Sequence, residues 1–258
     1  MNARLEIDEA TVTYRQPGRR TLTAVDHVSL SLGAGEVLGL VGESGCGKST
    51  LARAVCGLEP LASGAIRFDG APVGRLGLRP REARQRRIQM VFQNPYASLN
   101  PRRRIGAQIE DARAVAGPDA LPVERLLEQV GLEPAVARRY PYEFSGGQRQ
   151  RIAIARAMAA APEVLIGDEP IASLDASLQA RIASLMRDVA LERGASLLFI
   201  SHDLSVVRVI ADRIAVMQAG RIVEEGPTDR VWSEPQHPYT RRLLAAIPIA
   251  DGLGRLPG

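Results

Sequence analysis

The sequence predicts an α/β protein with a mainly parallel sheet, an antiparallel portion at the N-terminus and a helical subdomain inserted in the middle. Three observations predict it. Strand-length apolar segments at Glu36 to Val41, Val164 to Ile166 and Ser196 to Ile200 alternate with helical stretches, the order that implies a parallel sheet. From Leu5 to Leu32 apolar residues alternate in two runs, which reads as two strands and a turn. From Pro101 to Ala160 the pattern is helical.

In chain order, the two N-terminal runs are parted by the segment Arg15-Gln-Pro-Gly-Arg-Arg20. The strand Glu36 to Val41 feeds a glycine-rich loop, and Lys48 to Gly57 has helical character. Ala65 to Asp69 and Arg87 to Phe92 read as further strands. The helical middle is broken at Gly117-Pro118, Gly131 and Pro141, where glycine and proline interrupt the pattern. A helix near Ser177 to Arg193 lies between the two later buried strands. Arg213 to Met217 and Arg221 to Glu225, joined by Ala219-Gly220, form a terminal hairpin, and a helix from Pro238 to Ala246 follows. The expected organisation is a core from 1–93 and 161–225, a helical subdomain over 94–160 and a C-terminal extension over 226–258.

A chain of 258 residues, 45% hydrophobic and 24% charged, can bury a sizeable core without disulfides. Its two cysteines, Cys46 and Cys56, have no repeating spacing, which reads as a reducing compartment, most simply the cytoplasm. Met1 to Ala10 is polar and lacks the apolar stretch of a signal peptide. No apolar run approaches the roughly 18–20 residues of a membrane helix. The net charge is a modest +4. Arginine groups at Arg79 to Arg87, Arg102 to Arg104 and Arg149 to Arg151 lack interleaved aromatics, and with 29 acidic residues in the chain no nucleic-acid partner is expected. They read first as a solvated face, and otherwise as contacts to a membrane protein or an anionic leaflet.

The chemistry concentrates in Gly42-Glu-Ser-Gly-Cys-Gly-Lys-Ser-Thr50, between a predicted strand and a predicted helix. Glycines let successive backbone N–H groups turn inward around phosphate oxygens, and the helix N-terminus adds its dipole. In such a phosphate loop Lys48 reaches the β- and γ-phosphates and the Ser49 hydroxyl ligates Mg²⁺. Of 33 basic residues, Lys48 is the only lysine, leaving 33 − 1 = 32 arginines. A compact ammonium is not replaceable by a planar guanidinium where space is narrow. Cys46 inside the loop implies that bulky thiol reagents block ATP binding and that ATP protects. Val164-Leu-Ile-Gly-Asp168 is an apolar strand ending in an acid, so Asp168 is the candidate metal support and Glu169 the candidate general base. Phe144-Ser-Gly-Gly-Gln148 begins a helix with Ser145 as N-cap and Gly146 and Gly147 exposing N–H groups, a second possible anion site far along the chain.

With these residues the sequence resembles the ATP-binding subunits of ABC transporters, P-loop NTPases with a RecA-like core, whose signature motif usually reads LSGGQ; Phe144 stands for the leucine. The resemblance implies further roles. Tyr14 matches the aromatic that stacks on adenine, and Gln93 the glutamine that senses metal and attacking water. Ser173-Leu-Asp175 matches the loop that communicates between subunits, with the usual serine-alanine order reversed as Ala172-Ser173. His202 matches the histidine that contacts the γ-phosphate. It also implies ATP and Mg²⁺ as cofactors and head-to-tail dimerisation, each nucleotide lying between one subunit's phosphate loop and the other's signature helix.

Val91-Phe-Gln-Asn-Pro-Tyr-Ala-Ser-Leu-Asn-Pro-Arg102 and the tail Glu234-Pro-Gln-His-Pro-Tyr-Thr-Arg-Arg-Leu-Leu-Ala-Ala-Ile-Pro248 resemble the dipeptide, oligopeptide and nickel importer branch, most closely its second ATPase subunit. The expected partners are a related ATPase subunit, integral-membrane permeases and, indirectly, a solute-binding protein. The expected place is the cytoplasmic face of the membrane. The alternatives are a soluble ABC ATPase acting on DNA or ribosomes and an ABC export subunit. The stretch from Thr50 to Phe144 is too short, and lacks the heptads, for the coiled coil of the DNA-repair members.

Overall fold

A computed structural model describes residues 3–15, 21–77, 82–94, 98–117, 120–172 and 174–247. Two sheets organise it. The first is antiparallel and comprises β1 (Ala3–Tyr14), β2 (Leu22–Gly33), β4 (Ser63–Phe68) and the short β5 (Ala71–Pro72), in the order β2-β1-β4-β5. The second has the order β10-β9-β3-β8-β7-β6, built from β3 (Val37–Val41), β6 (Ile88–Val91), β7 (Val164–Asp168), β8 (Ser196–Ser201), β9 (Arg213–Gln218) and β10 (Arg221–Pro227). Its strands run parallel except β10, which returns antiparallel beside β9 as the expected hairpin.

The parallel sheet explains why its strands read as unbroken apolar runs: β3, β7 and β8 are buried at every position. A pleated strand sends successive side chains to opposite faces, and two cores divide along this alternation. Leu197 and Phe199 of β8 face one core while Leu198 and Ile200 face the other. Ile214 and Val216 of β9 part in the same way from Ala215 and Met217.

One core packs the antiparallel sheet and helix α1 (Lys48–Val55) against the parallel sheet. The other covers the opposite face with α4 (Gly146–Ala159), α5 (Ala176–Glu192) and α6 (Leu204–Ile210), and extends into α2 (Ile105–Ala116) and α3 (Val123–Gln129). The helices between Pro101 and Ala160 thus share a core with the sheet. The approach of α6 is close enough that a Cβ on Gly39 would lie 2.2 Å from the Val207 side chain.

Two short helices, α6 and α7 (Thr228–Ser233), escaped the sequence reading because about two turns is too little for periodicity to register. The cap of α6 was legible, since the Asp203 side chain accepts N–H bonds from Ser205 and Val206. The last helix, α8 (Pro238–Ala245), stands where it was expected. The turn core at Gln16 to Arg20 and the tail from Pro248 onward lie outside the described residues.

The third arginine group is not the solvated face the sequence suggested. Arg149 is buried, its Nε donating to the Pro141 carbonyl at 2.7 Å and an Nη to the Tyr142 carbonyl at 3.3 Å. Arg151 reaches the Val130 carbonyl just beyond α3 at 3.3 Å. Helix and turn ends leave carbonyls without backbone partners, and these guanidinium groups supply donors.

Candidate functional site

The phosphate-loop segment leaves the carboxyl end of β3 and enters α1. Gly42 and Gly47 have positive φ, 154° and 112°. A Cβ on either would strike backbone at 2.2 Å, the Met217 carbonyl oxygen for Gly42 and the Ala24 carbonyl oxygen for Gly47. Glycine is therefore required on both conformational and steric grounds. The Gly220 N–H holds the Cys46 carbonyl at 2.9 Å, tying the loop to the β9–β10 turn. No side chain caps the first turn of α1, so its N-terminus presents backbone donors and a positive dipole end.

Lys48 is buried. Its Nζ donates to the Gly42 carbonyl at 2.7 Å and the Glu43 carbonyl at 2.9 Å, and lies 3.6 Å from Glu169 Oε1. Glu169 stands one residue past β7 with φ 49°, and its N–H donates to the Ile200 carbonyl at 3.0 Å. Its Oε2 is 2.5 Å from His202 Nδ1. The carboxylate is thus held between an ammonium and an imidazole, on a left-handed backbone that strains a non-glycine residue by about 1–3 kcal/mol. Asp168, the last residue of β7, accepts the Ser49 hydroxyl at 2.6 Å. Burial pushes the Asp168 carboxyl up, while the Ser49 hydrogen bond and the Arg53 charge draw it down less strongly.

An open cleft of about 620 Å³ lies over this group. It is lined by Gly42, Glu43, Ser44, Gly45, Gly47, Lys48, Ser49 and Thr50, and by Tyr14, Gln93, Glu169 and His202. Tyr14 ends β1, and Gln93 lies two residues beyond β6. Residues far apart in sequence therefore converge on one hollow, at the carboxyl ends of the parallel strands where open α/β sheets bind ligands.

A second set does not join them. Ser145 caps α4 in a capping box: its N–H donates to Gln148 Oε1 at 3.0 Å, and its hydroxyl accepts the Gln148 N–H at 3.4 Å. Asp175 caps α5, accepting the Leu178 N–H at 3.0 Å. The two helix ends pack together, since a Cβ on Gly147 would meet Leu178 at 2.4 Å and one on Gly146 would lie 3.8 Å from Leu174. Ser145, Gly146, Gly147, Gln148 and Asp175 are all absent from the cleft lining. Ser173 lies outside the described residues.

Leu22, Ala24 and Leu243 also line the cleft, and the Tyr239 hydroxyl accepts the Glu43 N–H at 3.0 Å. The sequence reading passed over them. Tyr239 and Leu243 lie in the tail that served there only to mark a branch. The proline opening α8 predicts a helix but says nothing of which loop it meets.

Cys46 is buried beneath the loop, and burial pushes its thiol up against the opposing pull of Lys48. The thiolate is the reactive form, so alkylation near neutral pH is expected to be slower than for a free thiol. It should accelerate as pH rises and slow when ATP is added. Mass spectrometry after iodoacetamide treatment checks this; equal sensitivity of ATP binding in Cys46→Ser would show that the reagent acts elsewhere.

A strand–loop–helix phosphate cradle, a carboxylate pair at the end of β7 and an open cleft over both define a P-loop nucleotide hydrolase. The sequence profile of the ABC transporter family matches residues 25–172, and that of the oligopeptide/dipeptide transporter C-terminal region matches residues 223–257. This chain belongs to the ABC transporter ATP-binding family, and its activity is ATP hydrolysis. It is 51% identical over 239 residues to a Brucella abortus (strain 2308) ATP-binding protein named for peptide import, covering 90% of this chain and 72% of that one. Against the oligopeptide transport ATP-binding protein OppF of Bacillus subtilis (strain 168) the identity is 48%, covering 96% and 83%. The glutathione import ATP-binding protein GsiA of Pectobacterium atrosepticum is 50% identical over 90% of this chain, which spans 38% of its length. Among solved structures, cbiO1 of Clostridium perfringens, part of the cbiONQ ABC transporter complex, superposes with a TM-score of 0.74 at 28% identity, covering 91% of this chain and 92% of that one. A dimeric bacterial ABC transporter cassette follows at 0.73 and 26%, covering 87% and 98%. Its post-hydrolysis state bound to ADP and Pi superposes at 0.71 and 26%, again covering 87% and 98%.

Proposed function

We propose that this chain is the subunit that energises an ABC importer for peptides, closing onto a second ATPase subunit when ATP binds and reopening after hydrolysis. The observation that carries the reading is the separation of the two anion-binding helix ends. The phosphate loop lines the cleft, whereas Ser145 to Gln148 lies outside it with Asp175. Two such ends on one chain are explained if each completes the nucleotide site of a partner. ATP then acts as a removable adhesive between subunits, and phosphate chemistry becomes opening and closing.

Within one cleft we assign the roles as follows. Tyr14 stacks on the base. Backbone N–H groups from Gly42 to Thr50 cradle the phosphates, and Lys48 turns from its carbonyls to them. Among the described residues no group of three or more His, Cys, Asp or Glu side chains could hold a metal. Mg²⁺ suits the site nonetheless, because it is bound through one or two protein oxygens together with substrate phosphates. Ser49, Asp168 and Gln93 offer hydroxyl, carboxylate and amide oxygens of that hard type. Bound there, the ion would supply positive charge to offset the negative charge of the nucleotide's phosphates. Glu169 accepts a proton from the attacking water, with His202 beside it at the γ-phosphate.

Peptide import is favoured over nickel by the names of the relatives, all three of which import or transport peptides or glutathione. Among the described residues no helix is long and apolar enough to cross a membrane. By this reading the chain sits at the cytoplasmic face of the membrane on integral-membrane permeases, beside a second ATPase subunit, with a solute-binding protein acting indirectly from outside. The domain division at 1–93 with 161–225, 94–160 and 226–258 remains our proposal. Affinity purification from detergent-solubilised membranes tests the assignment. Integral-membrane proteins should co-elute, and peptide-loaded binding protein should stimulate ATP turnover in liposomes. Nuclease-sensitive association with ribosomes or DNA, without a membrane partner, would sink it.

A further inference from the structure

We propose that Tyr239 is a positioning residue of the phosphate loop, its hydroxyl fixing the peptide plane from which Lys48 is presented to the nucleotide. The inference rests on the reading of Gly42 to Thr50 as the phosphate cradle. Tyr239 is 2% exposed, and its hydroxyl oxygen accepts the Glu43 N–H at 3.0 Å across 196 residues of sequence. The same peptide group offers its carbonyl, that of Gly42, to Lys48 Nζ at 2.7 Å. Tyrosine and lysine therefore grip opposite ends of one peptide plane. The plane begins at Gly42, which has φ 154° and lacks the Cβ that restricts backbone rotation in other residues. Were the plane to flip, Lys48 would face an N–H instead of a carbonyl. When Lys48 turns to phosphate it leaves the Gly42 carbonyl, and the Tyr239 hydrogen bond is the tie that stays.

The tail is built to hold that hydroxyl in place. Glu224 of β10 accepts the Gln236 N–H at 2.7 Å and the His237 N–H at 2.9 Å, anchoring the turn into α8. His237 Nδ1 caps the helix by accepting the Tyr239 N–H at 3.2 Å, and Pro238 opens its first turn. Leu243, one turn after Tyr239 and so on the same face, reaches the cleft. The His237-Pro-Tyr-Thr240 segment thus acquires a physical task at the nucleotide site.

Tyr239→Phe keeps the buried ring and removes only the hydroxyl, and with it the acceptor of the Glu43 N–H. Calorimetric affinities for MgATP, ADP and AMP are expected to split. ATP and ADP should weaken about 3- to 10-fold, the worth of one hydrogen bond, while AMP is unchanged. The KM for ATP should rise by the same factor with kcat within about twofold. Loss of packing alone would move the three nucleotides together. Should Tyr239→Phe unfold near assay temperature, Glu224→Gln, which loosens the anchor and leaves the tyrosine in place, should give the same split at smaller size. Wild-type ATP and ADP affinities in a folded Tyr239→Phe, or in Glu224→Gln where the former is unstable, overturn the proposal. Lys48→Ala separates this failure from a deeper one: if it too bound ATP and ADP normally, the phosphate-cradle reading itself would be wrong.

Discussion

Lys48→Arg is expected to lower ATP turnover by about 10²- to 10³-fold, the cost of removing one donor aimed at developing charge, although the formal charge is unchanged. The reason is space. Nζ sits in a buried slot, 2.7 Å and 2.9 Å from the Gly42 and Glu43 carbonyls, 3.6 Å from Glu169 Oε1 and 4.0 Å from Cys46 Sγ. A guanidinium spreads its donors over a plane and cannot present one point charge in that slot. It must displace the loop backbone or withdraw toward the cleft, and either shift misplaces the donor. Phosphate release in the purified complex measures the effect, with melting temperature as a control for folding. Near-normal hydrolysis would show that a chain with 32 other basic residues, all arginine, kept its one lysine here for no catalytic reason.

Glu169→Gln should separate binding from chemistry. The amide keeps the size of the side chain and one oxygen acceptor but cannot take a proton from water. Turnover should fall by about 10²- to 10⁴-fold, the range of general-base contributions, while ATP affinity is retained. With opening blocked, ATP-bound dimers with the second ATPase subunit should accumulate, seen by light scattering of the mixed subunits as a dimer mass that appears with ATP and not with ADP. Unchanged phosphate release would mean that this carboxylate, placed between Lys48 and His202, is not the base. Asp168 would then be the next acid to test, although its bond to Ser49 commits it elsewhere.

How much of this was legible beforehand varied with the distance over which each feature is encoded. The strand–loop–helix around Gly42 to Thr50 was readable because it is set by consecutive residues and by glycines whose backbone conformations are local. Asp168 and Glu169 could be placed at a strand's end because an apolar run stops there. Ser145 announced a helix start because a cap acts on residues three positions on. The arginines of α4 misled because charge alone says surface, whereas Arg149 is spent on neighbouring carbonyls inside the fold.

The sequence by itself determined the strand–loop–helix order, the glycine-rich loop that we propose as the phosphate cradle and a second helix start capped at Ser145. These are local, since the periodicities of 2 and 3.6 residues, the capping rules and glycine's freedom act over a few positions. Only the tertiary structure decided that the second helix end lies outside the cleft, the observation on which the proposed half-site rests. It alone brought Tyr239 onto the Glu43 N–H. Such contacts join residues more than a hundred positions apart, and what sets them is which faces the sheets and helices bury against one another.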